Sequence, residues 1–328
     1  MKKIVSFFGD RSEIFCDLNK RAEEYAASRG VEYVWSVQNP FNQEEVVRQL
    51  QQADAGIIDI EPYGEEIFSQ IKSSTQILVR FGVGFDKVDL KAASKHGIAV
   101  ARTTGANTTA VAEMALSLML AAKRHICIDD RMVKNNIWEK DVVHELIGAT
   151  VGIIGFGAIG KRLAKLLQGF DCRILAYDPY PNPEAAKALN VEMVDLETLL
   201  KESDGISIHV PFCESTRNMI NRDTLAMMKP TAVICNTSRG GIIDEEALYE
   251  ALKEHRIAGA GIDVFAVEPL SADSPLKTLD NVILTPHNSS QTVESLWNIY
   301  KMAIDISADF FEGKLSPHIL NPDFAEGK

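Results

Sequence analysis

The stretch Thr150-Val-Gly-Ile-Ile-Gly155-Phe-Gly157-Ala-Ile-Gly160 runs a β-branched apolar strand straight into Gly-x-Gly-x-x-Gly, and few folds can accommodate that. Gly155 permits a tight turn, Gly157 leaves room for a pyrophosphate against the backbone, and Gly160 lets the next helix pack close to the strand. The pattern Ile159–Phe170 reads as that helix. Its N-terminus offers unpaired N–H groups and a positive dipole end to phosphates. A second strand, Arg173–Tyr177, follows and ends at Asp178, 18 residues after Gly160. Asp178 can accept hydrogen bonds from both ribose hydroxyls, and its charge repels a 2′-phosphate. Pro179 and Tyr180 follow it, with no arginine to hold such a phosphate. The expected cofactor is NAD rather than NADP.

The same alternation of strand and helix runs from end to end, which predicts parallel sheets with helices on both faces. A first series of strands is expected at Lys3–Phe8, Val31–Ser36, Gly56–Ile60, Gln76–Arg80 and Ile98–Ala101. A second is expected at Thr150–Ile154, Arg173–Tyr177, Val191–Val194, Gly205–Val210, Ala232–Asn236, Gly259–Phe265 and Asn281–Thr285. The fold class is therefore α/β, with two doubly wound units. Ala106–Arg124 reads as a long apolar connecting helix. Thr292–Phe311 reads as a second long helix, and if it packs back on the first unit, that unit is discontinuous in sequence.

A chain of 328 residues suits two domains. Its formal net charge of −12 argues against a nucleic-acid partner, since phosphate binding needs a basic surface. Cys16, Cys127, Cys172, Cys213 and Cys235 are scattered, with no Cys-x-x-Cys pair. That points to reduced thiols in a cytoplasmic protein, without a disulfide framework or a bound metal. The opening residues are too short an apolar run for a signal peptide. The longest apolar stretch, Val111–Ala122, contains Glu113 and falls short of a membrane span.

Ligands of open α/β sheets bind beyond the carboxyl ends of the strands. Three polar residues stand just past such ends in the second series: Arg239, Glu268 and His287. They supply a cation for a carboxylate or oxyanion, a carboxylate, and a titratable imidazole. Hydride reduction of a ketone leaves an alkoxide that needs a proton, which His287 can donate, or remove in the reverse direction. Glu268 would fix the imidazole, and Arg239 would grip the substrate carboxylate and polarise the ketone. Each alone has an ordinary explanation, as a surface histidine, a loop Glu-Pro or an arginine at a helix end. Their shared position is what selects the catalytic reading. His209 falls inside a strand pattern and reads as structural.

These residues resemble the D-isomer-specific 2-hydroxyacid dehydrogenase family. Gly82-Val-Gly-Phe-Asp86-Lys-Val-Asp89 is similar to its substrate-loop motif, and Asn107–Glu113 to the start of its interdomain helix. His209-Val-Pro211 with Thr216, Asn236–Gly241, Asp263–Pro269 and Pro286–Ser290 follow in the family's order. The resemblance implies a Rossmann NAD-binding domain over 104–292, inserted in a flavodoxin-like substrate domain made of 1–103 and 293–328. It assigns Arg239, Glu268 and His287 to catalysis. It assigns substrate contacts to Arg239 and His287 and, through backbone N–H groups, to Val83 and Gly84. It implies NAD contacts at Gly155, Gly157, Ala158, Ile159, Gly160, Asp178, Val210, Pro211, Thr216, Thr237, Ser238, Asp263, His287, Ser289 and Ser290. Asp263 would accept from the carboxamide. A homodimer built on the Ala106–Gly148 region is also implied.

The resemblance extends to phosphoglycerate dehydrogenases without a C-terminal regulatory domain. Those enzymes usually carry basic residues after the third strand, whereas Asp59-Ile-Glu61 here is acidic and would repel a phosphate. Lys140, after Trp138, matches a lysine that they can offer from a partner subunit. Arg80 and Arg102 are further candidate cations. The expected substrate is a small 2-keto acid, either the phosphorylated acid of phosphoglycerate dehydrogenases or an unphosphorylated one such as glyoxylate, hydroxypyruvate or pyruvate. The alternative is an NAD-dependent binding protein like the C-terminal-binding corepressors, which resemble this family and keep the triad. Formate dehydrogenases have Gln where Glu268 stands.

Overall fold

A computed structural model describes residues 1–38 and 40–327. The chain divides into two compact units, Met1–Asn107 with Gln291–Lys328, and Thr108–Ser290.

The first unit carries β1 (Lys3–Ser6), β2 (Glu32–Trp35), β3 (Ala55–Ile58), β4 (Ile77–Arg80) and β5 (Ala99–Arg102). They form one parallel sheet in the order β2-β1-β3-β4-β5. Alternate residues feed two cores, as the two-residue period of a strand requires. Ile4, Ile57, Ile77 and Val79 pack with helices Glu13–Ser28 and Val293–Phe311, while Val5, Ile58, Leu78 and Val100 pack with Gln43–Leu50 and Glu65–Ile71. Helix Val293–Phe311 buries Leu296, Ile299, Tyr300, Ala303 and Ile304 on this sheet. Arg29 ties it to the first helix through Asp305 and Asp309.

The second unit carries β6 (Thr150–Ile154), β7 (Arg173–Tyr177), β8 (Val191–Met193), β9 (Gly205–Ile208), β10 (Val233–Asn236), β11 (Gly259–Ile262) and β12 (Val282–Leu284). All run parallel, in the order β12-β11-β10-β9-β6-β7-β8. The winding direction reverses between β6 and β9. Open sheets of this kind bind ligands at the carboxyl ends of the strands at such a switch point. Helix Thr108–Lys123 covers one face with Ala112, Ala115, Leu118 and Met119.

The strands follow the sequence reading in order and type, but several stop early. Gly205–Val210 leaves the ladder after Ile208, and Gly259–Phe265 after Ile262. The residues that peel away, His209 and Val210 and then Asp263 to Phe265, lie at the edge where a ligand would sit. Among the described residues no helix is long and apolar enough to cross a membrane, and no cluster of His, Cys, Asp and Glu could hold a metal ion.

Candidate active site

The glycine turn has the crowding and the openness that its three positions require. Gly155 has φ +96°, and a Cβ there would lie 2.7 Å from the backbone carbon of His209. A Cβ on Gly160 would lie 2.2 Å from the Gly155 carbonyl oxygen, so the helix Ala158–Leu167 can seat on the turn only without one. Gly157 faces open space instead, at the N-terminus of that helix, whose first-turn N–H groups lack intrahelical partners. The Asp178 carboxylate closes the turn from β7. Its Oδ2 accepts from Phe156 N at 2.8 Å, and its Oδ1 from Tyr180 N at 2.9 Å. Each oxygen keeps lone-pair capacity for a ribose hydroxyl. Thr237, at the end of β10, adds a sealed hydroxyl with no partner among the described residues. An open glycine, a helix N-terminus, an aspartate and an unsatisfied hydroxyl on one strand edge fit a dinucleotide.

His287 and Glu268 meet. Nδ1 of His287 lies 2.8 Å from Oε2 of Glu268. Oε1 of Glu268 accepts from Phe265 N at 3.0 Å, so both partners are fixed. With Nδ1 occupied, Nε2 is left as the nitrogen for proton exchange on a side chain that is 40% exposed. His287 has φ +51°, a backbone conformation that a non-glycine residue adopts only when its surroundings hold it there. Asp263 supplies that hold. It is fully buried, and it accepts from Thr285 Oγ1 at 2.6 Å, Asn288 N at 3.0 Å and Ser289 N at 3.0 Å. Its backbone oxygen takes His287 N at 2.8 Å. The family resemblance implies only a cofactor contact for Asp263, whereas in the fold it clamps the loop that carries His287.

Arg239 sits in the turn after β10. Asn236 ties that turn off: its Nδ2 donates to Arg239 O at 2.9 Å, and its Oδ1 accepts from Ser238 N and Oγ at 3.0 and 2.7 Å. Gly240 brings this turn against the one that leads to Glu268. Its ideal Cβ would fall 1.9 Å from Phe265 O. Thr216 has an internal duty as well, since its hydroxyl donates to Pro211 O at 2.7 Å and accepts from Cys213 N at 2.8 Å, shaping the segment after Val210.

His209 lies under the glycine turn. Nε2 pairs with Ser207 Oγ at 2.9 Å, and Nδ1 is sealed without a partner among the described residues. Burial pushes this imidazole down to about 4. An unfolded histidine titrates near 6.5, so below that pH the unfolded chain gains a proton that the fold refuses. Stability is therefore full above pH 6.5 and falls as pH drops through 6.5 toward 4. The expected loss between pH 8 and pH 5 is about 2 kcal/mol from this residue. Urea titrations at the two pH values, on the wild type and on His209→Gln, should show a smaller fall in the variant.

In the first unit, the loop after β4 holds Val83 and Gly84. Neither N–H is paired with an acceptor among the described residues. Arg80 is turned inward: its side chain is 10% exposed, with Asp59 at 3.6 Å and the Phe81 carbonyl as partners. Burial raises Asp59 to about 6 against the pull of Arg80. The acidic segment read from the sequence is thus partly an internal ion pair, and the residue of it clear of that pair is Glu61.

Known proteins place this architecture. Residues 116–289 match the family model described as D-isomer specific 2-hydroxyacid dehydrogenase, NAD binding domain. The chain belongs to that family. It is 37% identical over 297 residues to a glyoxylate reductase of Korarchaeum cryptofilum, covering 88% of this chain and 89% of the relative. It is 48% identical over 224 residues to a hydroxypyruvate reductase of Thermotoga maritima, covering 67% and 72%. The structure of a D-2-hydroxyisocaproate dehydrogenase superposes with a TM-score of 0.87 at 26% identity, over 97% of this chain and 99% of that one. D-3-phosphoglycerate dehydrogenases match as well, and the chain spans 54% and 50% of the length of two of them. The second unit is thus the NAD-binding domain of an oxidoreductase of this family.

Proposed function

We propose that this dehydrogenase reduces a small unphosphorylated 2-keto acid of the glyoxylate or hydroxypyruvate class, with NADH preferred over NADPH. The observation that carries the reading is the His287–Glu268 pair at 2.8 Å, held beside the NAD edge by buried Asp263. Bound NADH would supply the hydride. His287 donates a proton from Nε2 to the alkoxide oxygen that forms, and Glu268 keeps Nδ1 protonated and the ring oriented. Arg239 takes the substrate's carboxylate and polarises its ketone, a task suited to a planar, permanently charged guanidinium. The family resemblance assigns carboxylate binding to Val83 N and Gly84 N as well. Asp178 takes the ribose hydroxyls and excludes a 2′-phosphate by like charge. The names of the reductase relatives support this substrate class, and Glu61 weighs against a phosphate group. A cytoplasmic homodimer belongs to the same reading. The segment 126–147 exposes Ile126, Val133, Trp138, Val142 and Ile147, an apolar run suited to a second copy.

The test is NADH oxidation with glyoxylate, hydroxypyruvate, pyruvate, 2-ketoglutarate and 3-phosphohydroxypyruvate, repeated with NADPH. Glyoxylate or hydroxypyruvate should give the highest kcat/KM, with NADH favoured by at least about tenfold. Best turnover of the phosphorylated acid, or equal use of both cofactors, would refute the specificity. No turnover of any of them, in wild type and His287→Ala alike, would favour a binding protein of the same fold.

A further inference from the structure

We propose that Arg102 and Thr103 are positioning residues that aim the Val83 and Gly84 N–H groups at the substrate carboxylate. The inference rests on the keto-acid reading above and adds two residues to it. It follows from peptide geometry. A trans peptide is planar, so its N–H and C=O point in opposite directions. Fixing a carbonyl on one side therefore fixes the next N–H on the other. Three successive peptide units after β4 are anchored in this way. In the first, Phe81 O is taken by Arg80, and Gly82 N donates to Thr103 Oγ1 at 2.9 Å. In the second, Gly82 O accepts from Thr103 N at 3.0 Å, which turns Val83 N–H away from Thr103. In the third, Val83 O accepts from Arg102 Nη1 at 3.4 Å, which turns Gly84 N–H away from Arg102.

The result is two adjacent N–H groups with no acceptor among the described residues, both facing away from the chain that holds them. Successive unpaired N–H groups form an anion-binding concavity. The anchors are rigid. Thr103 is fully buried. The Arg102 guanidinium is also braced over the Phe85 ring, 5.2 Å from its centroid. Gly82, with φ +118°, provides the backbone turn between the first and second anchored units. Arg102 adds a positive charge behind the Val83 carbonyl, which raises the local potential for a carboxylate. Without these anchors the N–H pair would be ordered only when substrate binds, and part of the binding energy would go into ordering it.

The experiment measures steady-state kinetics with glyoxylate and with hydroxypyruvate at saturating NADH, together with NADH Kd by fluorescence titration. Thr103→Val removes the hydroxyl that receives Gly82 N, and Arg102→Met removes the cation while keeping a long side chain. Each should raise KM for the keto acid about tenfold, the scale of one misplaced hydrogen bond to a charged group. Each should leave kcat within about twofold and NADH Kd unchanged, because neither residue belongs to the unit that carries the glycine turn and His287. Thr103→Ser should restore the wild-type KM. A parallel fall in kcat and NADH affinity would overturn the assignment in favour of a general structural role. Folded variants with wild-type KM would overturn it too, while leaving the keto-acid reading intact. Wild-type protein that reduces no keto acid would overturn the keto-acid reading itself. Should Thr103→Val fail to fold, Arg102→Met alone decides.

Discussion

Replacing His287 by asparagine should lower kcat by about a thousandfold while NADH Kd stays within about twofold. Asparagine can still accept or donate a hydrogen bond, but it cannot release a proton to an alkoxide. The loss therefore isolates the proton-transfer step from binding. Stopped-flow traces should separate the two, with unchanged cofactor fluorescence on mixing and an absent or very slow loss of NADH absorbance. Glu268→Gln should cost less, about tenfold to a hundredfold, because glutamine can still accept from Phe265 N, as Glu268 Oε1 does now at 3.0 Å. A His287→Asn enzyme within tenfold of wild type would remove His287 from the proton path and reopen the site.

Some of this site is legible in sequence because its causes are local. Gly160 answers to Gly155 and Ile153 just before it and Gly157 to the open space at the helix N-terminus, whereas Gly155 is crowded by the distant His209. Asp178 follows from one strand length. Arg239, Glu268 and His287 follow from one rule, that chemistry lies past the carboxyl ends of parallel strands. The supporting contacts are long-range and leave no local pattern. Asp263 reaches across to Thr285, Asn288 and Ser289, whose loop it clamps. Thr103 closes on Gly82 across the sheet between neighbouring β4 and β5. Arg80 reads as a free cation until β3 and β4 are placed side by side, which sets Asp59 against it. Strand ends were overrun for a related reason. His209 and Val210 continue the apolar rhythm of β9, yet the backbone there bends off the ladder beneath the glycine turn. Hydropathy marks burial, and these residues are buried or nearly so without being paired as strand.

Gly240→Ala should damage both stability and catalysis, whereas Gly157→Ala should spare the fold and weaken NADH binding alone. Gly157 follows β6 and Gly240 follows β10, two positions away in the sheet, and the space around each explains the difference. A methyl group on Gly240 would sit 1.9 Å from Phe265 O, 2.0 Å from Phe265 C and 2.4 Å from Ala266 N. All three are backbone atoms, so no rotamer change relieves the clash. Either the turn holding Arg239 or the segment leading to Glu268 must move. Overpacking of this kind costs about 1–3 kcal/mol, enough to lower the melting midpoint of a unit this size by about 5 °C. A displacement near 1 Å of a substrate-holding residue relative to its catalytic neighbours costs about a hundredfold in rate. Gly240→Ala should therefore lose about that factor in kcat/KM for the keto acid, with NADH binding much less affected. Gly157 has nothing within 4 Å of an added Cβ and an ordinary φ of −77°. Alanine there should leave the melting midpoint of the apo protein unchanged. It should still raise NADH Kd by about tenfold or more, because the methyl would occupy the space reserved for the pyrophosphate. Gly169→Ala, which also meets no atom within 4 Å, serves as the neutral control. If Gly157→Ala binds NADH as the wild type does, the open face of the turn is not where the pyrophosphate lies. If Gly240→Ala keeps wild-type stability and kcat/KM, the contact with Phe265 does not set the spacing of Arg239 and Glu268.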